Sequence, residues 1–399
     1  MQMSGAQMVC EAIIAEGVKT VFGYPGGAIM HVYDEIYKQN GFEHILNRHE
    51  QASVHAADGY ARATGEVGVA MVTSGPGFTN AVTGLATAYM DSIPLVVISG
   101  QVPSQLIGTD GFQEIDAVGI SRPCTKHNFL IRSLEELPRV IKEAFYIARS
   151  GRPGPVLVDV PKDITVEIGE FKYPDSINIP SYKPTYKGNK RQIEKAVEAI
   201  KSAKKPLLYL GGGIVLSNAA DLVRELAEKT QIPAVETLMA RGVMGAKNPL
   251  LLGMLGMHGN YSSNMAMSET DLVISLGARF DDRVTGKLSE FAKYADIIHV
   301  DIDAANIGKL VDVDYPIVGD ITKVVEAMLP QLDDIDTDRF EAWRNILKRY
   351  DELHPQSYVD SDDVIKPQWA IERLGELLGE NACLLYTSDA ADDMQCVDL

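Results

Sequence analysis

Short, uninterrupted apolar runs, each closed by a glycine, proline or aspartate turn and followed by a longer amphipathic stretch, leave this chain few folds to choose from. In the amino-terminal part they are VGVAMVTS at 67–74, IPLVVISG at 93–100 and GPVLVDVP at 154–161. A strand covered on one face alternates apolar and polar residues. A run without alternation marks a strand covered on both faces, as in a parallel sheet with helices on each side. NAVTGLATAYMDS, between the first two runs, has the length of a crossover helix. The same grammar restarts with PLLYLGGGIV at 206–215, IPAVET at 232–237, DLVISLGARF at 271–280 and IIHVDID at 297–303. The pattern predicts two consecutive doubly wound parallel-sheet α/β domains.

The first domain is expected over residues 1–165. Residues 166–190, which include EFKYPDSINIPSYKPTYKGNK, are rich in Pro, Tyr, Ser and Lys without periodicity and read as an extended linker. A central domain is expected over 191–330, and residues 331–382 read as a second linker and the start of a truncated third domain. Residues 383–399 carry no strand or helix period, and their run CLLYTSDAAD resembles the conceptual translation of a sequencing adaptor. That tail is expected to be non-native, with the natural reading frame ending near residue 382.

Composition excludes several classes of function. Among 399 residues, 37 are basic and 55 acidic, a net charge of −18, which argues against nucleic acid or anionic lipid as the main partner. No apolar window reaches the length of a membrane span, and the start MQMSGAQMVCEAIIAEGVKT reads as an amphipathic helix rather than a signal peptide. A cytoplasmic location is expected. Cys10, Cys124, Cys383 and Cys396 form no CxxC pair, and His49-Glu50 with His55 lacks the spacing of a helical zinc site, so no metal-ligand set is evident. There is no GxSxG elbow and no GxxxxGK[ST] loop.

The residues that suit chemistry fall where the runs end. Glu50 follows the short strand HIL and opens a helix whose Ala52, Ala56, Ala57 and Ala61 permit close packing, so its carboxylate is expected to be half buried. The plainer alternative is a first-turn acid stabilised by the helix dipole. Two glycine clusters, Gly23-Tyr24-Pro25-Gly26-Gly27-Ala28 and Thr73-Ser74-Gly75-Pro76-Gly77, offer bare backbone to an anion or a flat ring, or are simply tight turns. In the second domain Gly211, Gly212 and Gly213 resemble half a dinucleotide fingerprint, but Leu216 stands where a third glycine belongs. The segment Gly277-Ala278-Arg279-Phe280-Asp281-Asp282-Arg283 suits a phosphate and ribose partner, with internal ion pairing as the alternative. Asp301 and Asp303 lie where a ribose hydroxyl would find an acceptor.

In order, FGYPGGAI, NRHEQASVHAADGYARATG, VTSGPGFTN, GTDGFQEID, SGRPGPVLVDVPKD, LGMLGMHG, GARFDDRVTG and DIDAANIGK closely resemble the large catalytic subunit of the biosynthetic, FAD-containing acetolactate synthases, from about residue 3 to 380. The resemblance implies a pyrimidine-binding fold followed by a Rossmann-like central domain, with thiamine diphosphate, FAD and Mg²⁺ as cofactors. It implies that Glu50 bonds N1′ of the aminopyrimidine and so favours loss of the proton at thiazolium C2. The resulting carbanion attacks pyruvate, CO2 leaves, and the two-carbon unit joins pyruvate or 2-oxobutyrate on the way to valine, leucine and isoleucine. Gly27 and Gln113 match residues near the reacting centre, Ser74, Gly75 and Pro76 the cofactor turn, and Phe112 and Lys162 the substrate channel. Arg152, Gly211, Gly212, Gly213, Thr237, Leu238, Met239, His258, Gly277, Arg279, Asp282, Arg283, Asp301, Ile302, Gly319 and Asp320 match positions that hold FAD.

The family's GDG motif and downstream Asn, which grip Mg²⁺ on the cofactor's diphosphate, do not occur here. In the family the cofactor sits between two subunits of a homodimer or tetramer, with a possible regulatory small subunit, so this chain alone is expected not to turn over. The alternatives are a pyruvate-oxidase-like enzyme and a non-catalytic flavin-binding protein.

Overall fold

A computed structural model describes residues 2–378. The adaptor-like run that begins at residue 383 lies outside the described residues. The chain divides into two compact units, one ending at Pro184 and the other starting at Thr185.

In the first unit the order is β1 (Gln2–Ser4), α1 (Gly5–Ala15), β2 (Thr20–Gly23), α2 (Met30–Lys38), β3 (Glu43–Leu46), α3 (Glu50–Thr64), β4 (Gly68–Val72) and α4 (Pro76–Asp91). It continues with β5 (Leu95–Gln101), α5 (Ala117–Ser121), β6 (His127–Leu130), α6 (Leu137–Arg149), β7 (Pro155–Pro161), α7 (Lys162–Val166) and β8 (Ile168–Glu170). Six strands form one wholly parallel sheet in the order β3-β2-β4-β5-β7-β6. Every residue of β4, β5 and β7 is buried, which is why their sequences do not alternate. One face packs Val69, Met71, Val96, Ile98, Val156 and Val158 with α1 and α6, and the other packs Ala70, Val72, Val97 and Leu157 with α3 and α4.

The expected linker has structure of its own. β8 pairs antiparallel with β1, and Phe171, Tyr173, Ile179 and Tyr182 pack on the first unit's core. Tyr173 donates to Glu16 Oε1 (2.8 Å) and Tyr182 to the Ser150 carbonyl (2.8 Å). Such tyrosines bury their rings and keep a polar tip satisfied, so the segment straps the unit rather than hanging free of it.

The second unit runs α8 (Lys190–Ser202), β9 (Pro206–Leu210), α9 (Gly213–Leu216), α10 (Ala220–Thr230), β10 (Ala234–Glu236), β11 (Leu251–Met254), α11 (Tyr261–Glu269) and β12 (Leu272–Leu276). Then come α12 (Asp282–Thr285), β13 (Asp296–Asp301), β14 (Tyr315–Val318), α13 (Ile321–Met328), α14 (Glu341–Leu353) and α15 (Pro367–Leu378). Its sheet is also wholly parallel, ordered β11-β10-β9-β12-β13-β14. Trp343 and Leu347 of α14 are buried with Leu207, Tyr209 and Val273, and the Trp343 indole donates to the Pro206 carbonyl (3.1 Å). The core of this unit therefore extends past residue 330, where the sequence puts its end.

Candidate functional site

In an open parallel sheet, ligands bind outside the carboxyl ends of the strands at the point where strand order reverses. In the first unit that point lies between β2 and β4, since the chain moves outward from β2 to β3 and then returns to the other side of β2. The two glycine clusters leave from the carboxyl ends of these two strands and are tied together. Ala28 N donates to Thr73 Oγ1 (3.2 Å), and a side chain at Gly26 or Gly77 would collide with the Thr73 methyl at 2.4 or 2.6 Å. Gly27 differs. A Cβ there would meet nothing within 4 Å, and its backbone has no positive φ, so no packing or conformation within the chain asks for glycine.

Glu50 is the first residue of α3, just after β3, and only 7% of it is exposed. His49 caps the helix, its Nδ1 accepting from Gln51 N (3.2 Å), and the dipole of this long helix favours a carboxylate at its start. Glu50 Oε2 accepts from Asn80 Nδ2 of α4 (2.9 Å). Oε1 has no hydrogen-bond partner among the described residues, and a Cβ on Gly77 would lie 3.2 Å from it. The Tyr33 hydroxyl is pushed well above its usual range, first by burial and then by the charge of Glu50. A buried carboxylate with one oxygen anchored and the other free is arranged to share a proton with a ligand nitrogen.

The close approach of α3 and α4 differs from the sequence reading in one particular. Ala57 and Ala61 are buried as expected, but Ala52 is exposed; the tight contact is Gly84 against Val54, where a Cβ would come within 2.6 Å. A glycine on the partner helix does what the alanines were expected to do.

Ser74 is buried, and Gly75 (φ 57°) is the residue before α4, with Pro76 in its first turn. A side chain at Gly75 would strike the Gln113 carbonyl oxygen at 2.6 Å, which puts the backbone of Gln113 against the Ser74-Gly75-Pro76 turn. Gln113 itself has φ 58° and its side chain is exposed. Phe112 beside it is 88% exposed. The loop is cross-braced by Glu114, whose carboxylate accepts from Gly108 N and from Gly111 N (3.0 Å); these backbone donors hold its pKa below the usual range. Lys162, half buried, opens α7 directly after β7, and the neighbouring Asp163 ties Ser104 through its N (3.0 Å) and Oγ (3.1 Å). Arg152, also in this unit, donates from Nε to Ser92 Oγ (2.7 Å).

In the second unit the order reverses between β9 and β12, and every remaining expected flavin position follows or ends a strand of that sheet. Gly211, Gly212 and Gly213 follow β9; Thr237, Leu238 and Met239 follow β10; His258 follows β11; Gly277, Arg279, Asp282 and Arg283 follow β12. Asp301 ends β13 with Ile302 behind it, and Gly319 and Asp320 follow β14. At the reversal the two glycine turns touch. Gly213 N donates to the Gly277 carbonyl (3.1 Å), and a Cβ on Gly211 would lie 2.2 Å from that oxygen. Met257 N bonds the Arg283 carbonyl (2.8 Å), which brings the loop of His258 to the β12 turn.

Several of these residues also have work within the chain. Arg279 pairs with Asp281 (3.0 Å) and Arg283 with Asp282 (3.7 Å), so the ion-pair alternative is realised, with both arginine heads still exposed. Asp301 accepts from Asp303 N (2.8 Å) and Asn306 Nδ2 (3.2 Å), while Asp320 caps α13 through Lys323 N (3.3 Å). Gly319 is needed because a Cβ would meet Gly188 N at 2.9 Å. The buried Thr237 hydroxyl has no hydrogen-bond partner among the described residues, a cost that a polar ligand at this edge would remove. Among the described residues no group of three or more His, Cys, Asp and Glu is placed to hold a metal ion. Nor is any helix among them long and apolar enough to cross a membrane.

Sequence reasoning did not assign Asn80, Thr73 or Tyr33. Asn80 was visible only as a letter of TSGPGFTN and of the crossover stretch NAVTGLATAYMDS; its partnership with Glu50 needs α3 and α4 packed side by side.

The residue pattern described as thiamine pyrophosphate enzyme, N-terminal TPP binding domain, matches residues 3–120, and that of the thiamine pyrophosphate enzyme central domain matches 193–328. The chain is 48% identical over 393 residues to the acetolactate synthase isozyme 3 large subunit of Escherichia coli, covering 97% of this chain and 68% of the relative. Similarity to the acetolactate synthase large subunit of Buchnera aphidicola is 48% over 378 residues, covering 94% of this chain and 66% of the relative. An acetolactate synthase of Mycobacterium bovis is 50% identical over 385 residues, 96% of this chain and 62% of the relative. The chain thus spans about two thirds of the length of these relatives. With both thiamine pyrophosphate domains matched in order and near half of all residues identical, the chain belongs to the acetolactate synthase large-subunit family.

Proposed function

We propose that this chain supplies the pyrimidine-binding and flavin-binding parts of an enzyme that decarboxylates pyruvate and joins the two-carbon unit to pyruvate or 2-oxobutyrate. The observation that carries the reading is Glu50: buried, held by Asn80 through one oxygen, and open at the other. Bound thiamine diphosphate would supply the carbanion and the electron sink that carboligation needs. Glu50 Oε1 would hold a proton at the pyrimidine N1′, with Asn80 fixing the carboxylate so that no reorganisation is needed. The bare backbone at Gly27, which nothing in the chain requires, suits close approach by a flat ring. Gln113 would hydrogen-bond near the reacting carbonyl, and Phe112 and Lys162 would line the approach for a 2-oxo acid.

In the second unit, FAD would lie along the carboxyl edge, its diphosphate at Gly211–Gly213 with Arg279 and Arg283, and its ribose at Asp301. The orphaned Thr237 hydroxyl gives that edge a donor in want of a partner. Mg²⁺ on the thiamine diphosphate is assigned to ligands other than those described here. A homodimer or tetramer, a regulatory small subunit and a cytoplasmic location complete the proposal.

The pyruvate-oxidase-like alternative shares both cofactors and differs in where electrons go. Full-length protein bearing this segment, supplied with pyruvate, is expected to release acetolactate while its flavin stays oxidised. Flavin bleaching in step with pyruvate loss, and acetate in place of acetolactate, would favour the oxidase.

A further inference from the structure

Two strands that are otherwise wholly apolar carry polar residues on one face at adjacent register positions. On β5 these are Ser99 and Gln101, and on β7 it is Asp159, paired with Ser99. All three are buried, Asp159 to 1% exposure, on the sheet face that Val97 and Leu157 share with α3, α4 and the residues leading into α5. Buried polar groups of this kind are tolerated only when their hydrogen bonds are complete. Here they are. Ser99 Oγ bonds Asp159 Oδ1, and Gln101 Nε2 donates to Asp159 Oδ2 (2.9 Å). The same Gln101 nitrogen donates its second hydrogen to the Ile115 carbonyl (2.9 Å), while Gln101 Oε1 accepts from Val102 N (2.8 Å).

The consequence is topological. Val102 is the first residue after β5 and Ile115 stands just before α5, so one amide side chain holds both ends of the loop that carries Phe112 and Gln113. Closing a loop of this length costs conformational entropy, and a clasp at its neck removes most of the freedom that would let its tip wander. The tip is not otherwise pinned by apolar burial: Leu106, Ile107 and Phe112 are exposed. Its φ angles are those of a tight structure, positive at Gly108, Asp110 and Gln113, and its backbone meets Gly75 of the cofactor turn.

We propose that Gln101 is a positioning residue, a clasp on loop 102–115 whose amide is oriented by Asp159 and Ser99, and that it sets where Gln113 stands over the cofactor turn. The clasp follows from this unit's own hydrogen bonds; its bearing on catalysis rests on the function proposed above. Asp159 orients the amide by accepting from Nε2, a task that asparagine performs equally through its carbonyl oxygen while its NH2 donates to Ser99.

Amide hydrogen exchange on this chain, without added ligand, tests the proposal. In Gln101→Leu, and in the milder Gln101→Asn should the first fold poorly, exchange at Val102, Gly108, Gly111 and Glu114 is expected to rise roughly tenfold or more, with β4 unchanged. Asp159→Asn is expected to keep the loop within about twofold of the parent, the rescue that a role needing the carboxylate's charge would not give. Loop exchange unaltered in both Gln101 variants, or loosened equally by Asp159→Asn, would overturn the clasp. Because no cofactor enters the measurement, its failure would leave the assignment of Glu50 standing, and failure of Glu50 would leave the clasp.

Discussion

Glu50→Gln, in full-length protein carrying this segment, is expected to lower acetolactate formation by roughly 10²–10⁴-fold, the range typical of removing a positioned acid-base group. Glutamine has the same shape, and its carbonyl oxygen can still accept from Asn80, so the local geometry should persist. What is lost is the acidic oxygen able to take and return a proton at a ring nitrogen. The cost to folding is small, about 0.3–1 kcal/mol, because only the favourable placement of a charge at the start of α3 is removed. Flavin retention should be unchanged, since Glu50 is not among the expected flavin contacts. Turnover per bound flavin is the measurement, and near-normal turnover would remove Glu50 from the chemistry.

The second large effect concerns stability and pH. Burial raises the Asp159 carboxyl from the ordinary 3.8 to about 7, against the opposing hydrogen bonds of Ser99 and Gln101, with the charge of Asp116 adding to the rise. The Cys124 thiol, packed on the same face, is itself pushed up by burial. Between pH 3.8 and about 7 the folded chain therefore holds a proton at Asp159 that the unfolded chain has released. In that window the native state binds more protons, so this group's contribution to stability falls as pH rises and levels off above 7. Each pH unit of separation corresponds to about 1.4 kcal/mol. Asp159→Asn keeps the protonated-state hydrogen bonds and has nothing to titrate. The variant should therefore gain on the parent by a few kcal/mol between pH 4.5 and 7.5, read as the difference in urea midpoints. Parallel pH profiles would contradict a neutral, buried Asp159.

How much of this was legible in the sequence depended on what covers each strand. β4, β5 and β7 announce themselves as unbroken apolar runs because helices lie on both faces and nothing polar is needed. β6 (HNFL) and β11 (LLGM) did not, and neither did β14 (YPIV): all three are sheet edges, only part-buried, four residues long and interrupted by His, Gly or Pro. β2 (TVFG) is interior but equally short, and only Val21 and Gly23 are buried. Glu50 could be picked out because the segment NRHEQASVHAADGYARATG carries the family resemblance; an acid in the first turn of a helix is by itself ordinary. Its partner Asn80 could not, because thirty positions separate them and only the packing of α3 on α4 joins them. The Gln101 clasp left a fainter trace. Ser99, Gln101 and Asp159 are the polar letters inside strands that otherwise have no use for polarity, and that misfit is a signal that buried hydrogen bonds wait to be closed.

Of the expected flavin residues, Gly211, Gly212 and Gly213, the segment 277–283 and Asp301 were readable as turns closing apolar runs, whereas Thr237, Leu238, Met239, His258, Gly319 and Asp320 followed only from the resemblance. All of them leave carboxyl ends of strands of the second sheet, and a parallel sheet gathers such ends on one edge. What the sequence did not separate is residues that a ligand needs from residues the chain needs. Gly211 and Gly319 are required by the chain's own backbone, whereas Gly27 and the unpartnered Thr237 hydroxyl are not accounted for within it. The reach of the second core was missed because α14 is amphipathic and strongly charged along one side; Trp343 and Leu347 are buried, with Tyr350 packed partly against the same cluster.

The account stands or falls on where one carboxyl meets its ligand. A crystal structure of the full-length protein with thiamine diphosphate bound measures this directly. The predicted result is the Glu50 carboxylate within hydrogen-bonding distance, about 2.7–3.2 Å, of the pyrimidine N1′, with Asn80 still on its other oxygen. A pyrimidine seated elsewhere, or a Glu50 turned away from it and bonded only to the chain, would contradict it.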